Sequence, residues 1–62
     1  MKYKFHVGQV VYDKTERVYT QVTAHYQDEG GNWYTIAWSG DPNYDEISED
    51  DLRALTARER RV

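Results

Sequence analysis

Cysteine is absent, which rules out disulfide staples and thiolate metal sites and leaves packing alone to hold the fold. The expected setting is reducing and intracellular, and the expected location cytoplasmic. No apolar run approaches the roughly 18 residues that a membrane span needs, and the opening Met1-Lys2-Tyr3-Lys4-Phe5-His6 lacks the apolar stretch of a secretory signal. Histidine occurs only at His6 and His25, with no helical HxxxH spacing, no thiol partner and no serine beside either. Such a set assembles neither a metal pair nor an activated nucleophile, so the chain is expected to be non-enzymatic, with no cofactor and no metal. Cations are missing from the middle: residues 27–52 hold eight Asp and Glu and no Lys or Arg. The net charge of −3 disfavours nucleic-acid binding, which relies on a basic stripe for phosphates.

What is present is aromatic and β-branched. A chain of 62 residues buries only roughly 60% of the surface its unfolded form exposes, so nearly every large apolar side chain is needed for stability. One domain over residues 1–56 is expected, followed by a polar, frayed tail over 57–62. Tyr3 to Tyr12 reads as a first strand, kinked at Gly8, and charged Asp13–Arg17 as a loop. The run Val18 to Tyr26 alternates in period two with Val18, Thr20, Val22, Ala24 and Tyr26 on one face, which leaves His25 on the solvated side. Asp28-Glu29-Gly30-Gly31-Asn32 reads as a hairpin turn into a strand over Trp33–Trp38, whose apolar face is Tyr34, Ile36 and Trp38. Ser39–Asn43 is a second turn, and Tyr44–Ile47 a short edge strand.

A helix is predicted from about residue 49. Ser48 and Asp51 can form a variant capping box, Ile47 and Leu52 a hydrophobic staple, and Glu49 precedes Arg53 by one helical turn. The fold class that follows is mainly β: a small antiparallel barrel with one short C-terminal helix. Val7, Val10, Val22, Ala24, Tyr34, Ile36, Trp38, Ile47 and Leu52 are expected inside it.

Phe5-His6-Val7-Gly8-Gln9-Val10-Val11, Trp33 to Trp38, and Tyr44 to Leu52 together resemble small SH3-like barrels of the Tudor-like and KOW-like kind, over about residues 5–55. A KOW-type module usually has a glycine just before its second strand, where this chain has Arg17. The Tudor-like resemblance implies an aromatic cage for a methylated lysine or arginine, drawn from the loop after the first strand and the turn after the third. Tyr12 and Tyr19 flank the first of these places and Trp38 and Tyr44 the second, with Asp41 or Asp45 close enough to add negative charge. Cages need several rings and often an acid because each cation–ring contact contributes only about 0.5–2 kcal/mol.

The bland alternative is that these aromatics are core or merely cover the barrel ends. Asp41-Pro42-Asn43-Tyr44-Asp45 opens like a calcium loop, but Glu46 and Leu52 stand where that motif needs glycine and glutamate. The acidic segment 41–51 is either a patch for a basic partner or a set of carboxylates at a helix start. The expectation is a non-enzymatic module that binds a protein partner, basic or methylated. Two alternatives stay open: nucleic-acid binding through Lys2, Lys4, Lys14 and Arg17, and a structural subunit that docks by pairing a strand edge.

Overall fold

The computed structural model describes residues 2–61 and is mainly β. Its strands are β1 (Val10–Asp13), β2 (Val18–Asp28), β3 (Gly31–Ile36), β4 (Asp45–Ser48) and β5 (Leu52–Ala54). All pair antiparallel in one open sheet of order β4-β3-β2-β1-β5, so β4 and β5 are its edges. Single 3-10 turns occupy Glu49–Asp51 and Glu59–Arg61, and no helix among the described residues is long and apolar enough to cross a membrane.

The long strand β2 serves both halves of the sheet. Val18–Gln21 pair with β1, the remainder pairs with β3, and the register shifts between Val22 and Ala24. That bulge overturns the expected single face. Thr20 and Val22 point inward, whereas Ala24 and Tyr26 are exposed, because an extra residue in one strand reverses the alternation beyond it. The same reversal brings His25 to a half-buried position, where its ring stacks on Tyr3 with centroids 3.6 Å apart.

One cluster forms the core: Phe5, Val11, Val22, Tyr34, Ile36, Ile47 and Leu52. It draws on all five strands and on the segment before β1. Three other residues expected inside are not there. Val7 is exposed because residues 6–9 form a turn, in which the Gln9 N–H donates to the His6 carbonyl at 3.0 Å and Gly8 adopts φ 94°. Val10 is only half-buried because β1 turns Val11 and Asp13 inward instead. Trp38 is exposed because β3 ends at Ile36, after which Ala37 takes the inward place and the chain turns away. Tyr34 and Phe5 are thus the large rings of the core, packed edge to face with centroids 5.4 Å apart.

The predicted helix is a single 3-10 turn. Ser48 Oγ accepts the Asp50 N–H at 3.4 Å, so the cap forms, but to Asp50 and not to Asp51. Leu52 then drops into the core and the chain continues as β5, pairing Leu52 with Asp13, Arg53 with Tyr12 and Ala54 with Val11. Ladder pairing and burial of Leu52 outweigh a capping signal of about 1 kcal/mol. The expected Glu49–Arg53 pair is replaced by two others. Glu49 Oε2 accepts from the Asn32 amide at 2.8 Å, the Lys4 N–H at 3.0 Å and the Tyr34 hydroxyl, and Arg53 turns to Glu59.

Candidate functional site

Two loops and the strand ends beside them present the candidate residues. In the first, Asp13 is buried at the end of β1, its Oδ1 accepting the N–H groups of Thr15 at 2.8 Å and Glu16 at 3.2 Å. Its carbonyl accepts the Arg17 N–H at 2.8 Å, which closes the turn into β2 and fixes Glu16 on its outside. In the second, the Asp41 N–H donates to the Trp38 carbonyl at 2.9 Å, with Gly40 at φ 87° in the third position of the turn. Asp41 Oδ1 accepts the Asn43 N–H at 2.9 Å, a local bond that stiffens the approach to Tyr44.

Five of the six candidate residues come together. Tyr19, Trp38, Asp41, Tyr44 and Asp45 line one hollow of about 300 Å³. Asp13 and Glu16 line it too, and no lysine or arginine does. Trp38 is 48% exposed and Tyr44 66%, and among the described residues neither ring stacks on another aromatic. Open π faces beside carboxylates that form no ion pair among the described residues are suited to a cation. The acidic character extends along β4 into an adjoining hollow lined by Asp45, Glu46 and Asp51 as well as Asp13 and Glu16. Among the described residues, no cluster of three or more His, Asp or Glu is placed to hold a metal ion.

Tyr12 stands apart from the five. It pairs with Tyr19 across β1 and β2, the rings meeting edge to face at 5.1 Å, and the Arg53 guanidinium covers its ring 4.4 Å from the centroid. Arg53 in turn forms a two-pronged ion pair with Glu59, at 2.8 and 3.2 Å. Glu59 also accepts the Thr56 N–H at 2.8 Å and the Tyr19 hydroxyl, while its own N–H donates to Thr56 Oγ1 at 3.1 Å. The hydrogen-bonded Arg53 holds the Glu59 carboxyl far below the usual range, helped by the Thr56 N–H and the Tyr19 hydroxyl. The Glu59 carboxylate raises the Tyr19 phenol, so both groups keep the charge states that favour this contact.

These support residues lie outside the six candidates. Arg53 and Glu59 carry no helical spacing that announces their pairing, but Thr56-x-x-Glu59 is a capping-box spacing, and both of its reciprocal bonds form. Glu59 therefore ties down part of the segment expected as a tail. The N-terminal cations divide between two segments. Lys2 and Lys4 are anchored through backbone bonds to Asn32, Tyr34 and Glu49, and Lys14 and Arg17 belong to the β1–β2 loop. Of the two sheet edges, β4 carries exposed Asp45 and Glu46, charges of the kind that guard an edge against pairing.

Comparison with protein-family models, with curated proteins and with solved structures returns no match.

Proposed function

We propose that the chain is a small SH3-like barrel of the Tudor-like kind, acting as a non-catalytic module that binds a cationic side chain of a protein partner. The lysine or arginine head, plain or methylated, sits between Tyr19, Trp38 and Tyr44, with Asp41 and Asp45 supplying the negative charge. One observation carries this reading: three aromatics and four carboxylates line a single hollow that, among the described residues, no basic residue lines. A core cluster that takes residues from both edge strands, Ile47 and Leu52, supports the barrel description. Each ring face contributes about 0.5–2 kcal/mol to a bound cation, so three rings acting with the carboxylates give a weak but selective site.

The test is a titration of the protein, followed by amide chemical shifts and tryptophan fluorescence. Three short peptides differ only at one position: trimethyllysine, lysine or uncharged norleucine. Binding is expected to fall in that order, with shifts centred on residues 38–45. Trp38→Ala and Tyr44→Ala should each weaken binding about fivefold, equivalent to about 1 kcal/mol. Their urea midpoints should stay near that of the wild type, since both rings are exposed. Equal binding of norleucine and lysine peptides would overturn the proposal.

A further inference from the structure

Tyr19 and Trp38 are a shared wall. On one side lies the acidic hollow, and on the other a larger groove of about 990 Å³, which both residues also line. The apolar part of its lining is Val10, Ala54 and Leu55, and the polar part includes Lys4, His6 and Arg60. Among the described residues, Glu59 is the single acid that lines it, and that carboxylate is already committed to Arg53 at 2.8 Å. Among the described residues, the charge left free at the groove is therefore positive. Across a wall of two side chains, the surface changes from carboxylates without cations to cations without a free carboxylate.

We propose that the groove takes the neighbouring residues of the same partner segment: an apolar side chain on Val10, Ala54 and Leu55, and a carboxylate facing Lys4 and Arg60. This rests on the cationic reading of the acidic hollow and extends it to a bipartite ligand, with a cation on one side of Trp38 and an apolar residue plus an acid on the other. Charge complementarity sets the orientation, because reversing the segment puts its acid against Glu16, Asp41 and Asp45 and its cation against Lys4 and Arg60. The same carboxylates disfavour a polynucleotide, whose phosphates would run from the groove's cations into the acidic hollow. An extended protein segment with charges of both signs meets neither conflict.

Separate probes examine the two halves. N-acetyl-leucine carries one isobutyl group and one carboxylate, and at about 50 mM, a concentration suited to fragment affinities, it should shift the amides of Lys4, Val10, Leu55 and Arg60 while leaving residues 41–45 in place. N-acetyl-leucine amide should bind at least threefold more weakly. A Lys4→Glu/Arg60→Glu double variant should lose that preference while keeping the wild-type spectrum elsewhere, because neither side chain is part of the buried core. Peptides joining trimethyllysine to a C-terminal leucine carboxylate through zero to four glycines, roughly 3.5 Å each, should at one spacer length bind at least tenfold more tightly than either half.

The groove assignment is overturned if N-acetyl-leucine leaves those four amides unmoved, or if decathymidylate moves them and N-acetyl-leucine does not. Both halves binding with no gain at any spacer length refutes the single-segment claim. Trimethyllysine amide failing while N-acetyl-leucine binds removes the cation reading, and the bipartite claim with it. The reverse pattern removes the groove alone.

Discussion

Arg17 holds φ 60°, the one positive φ outside glycine among the described residues, and it sits directly before β2. The left-handed region costs an L-residue with a Cβ about 1–2 kcal/mol, while glycine there loses roughly 0.5–1 kcal/mol of chain entropy on folding. Arg17→Gly should therefore stabilise the protein by about 0.5–1 kcal/mol, read from the urea midpoint. Nothing in the local pattern of Asp13–Arg17 announces the turn conformation. Residues of one acidic run also differ sharply in role. Glu49 accepts three hydrogen bonds, from Tyr34, Asn32 and Lys4, whereas Asp50 makes no such long-range bond with its side chain among the described residues. Glu49→Ala should cost about 1–3 kcal/mol by leaving partly buried donors unpaired. Asp50→Ala should stay within about 0.5 kcal/mol, and equal effects in thermal unfolding would contradict the network.

At the scale of elements, the C-terminal 3-10 turn is held by Glu59 to β5 through Arg53 and to β2 through Tyr19. Its carboxyl is more acidic in the folded chain than the ordinary glutamate value of 4.5. The folded state therefore favours the ionised form, and the contribution is fully present above about pH 4.5 and is lost as pH falls below it. Acidification from pH 6 to pH 2 should destabilise the wild type more than Glu59→Gln, with the difference opening below about pH 4.5. Parallel pH–stability curves would show that Glu59 does not anchor the turn. The strands themselves were largely legible, since β-branched and aromatic runs separated by Gly-, Pro- and Asp-rich turns leave few other choices. What could not be read was where alternation breaks. The bulge after Val22, the turn at residues 6–9 and the end of β3 at Ile36 each move a side chain to the opposite face, and each depends on pairing with a distant strand.

For the whole molecule, size leaves little reserve. A domain of 62 residues has a stability of about 3–9 kcal/mol at typical per-residue values, and emptying a buried aromatic site costs about 3–5 kcal/mol. Phe5→Ala should thus populate the unfolded state visibly at 25 °C, as collapse of amide shift dispersion. Val7→Ala, two positions on and solvent-exposed, should leave the spectrum dispersed. The candidate hollow illustrates both reach and limit. The residues after the first strand and after the third were identifiable as aromatic and acidic, and five of the six converge. Tyr12 does not, because Arg53 reaches it from a strand that the local capping signal had assigned to a helix. The sequence alone determined the β class, the glycine-bearing turns at 28–32 and 39–43 and the acidic bias, since those depend on backbone preference and charge within a few residues. Only the tertiary structure decided which rings are buried, which carboxylates are paired and how the last residues return beside β1. Those outcomes depend on competition between local hydrogen bonds of about 1 kcal/mol and long-range ladders and burial that outweigh them.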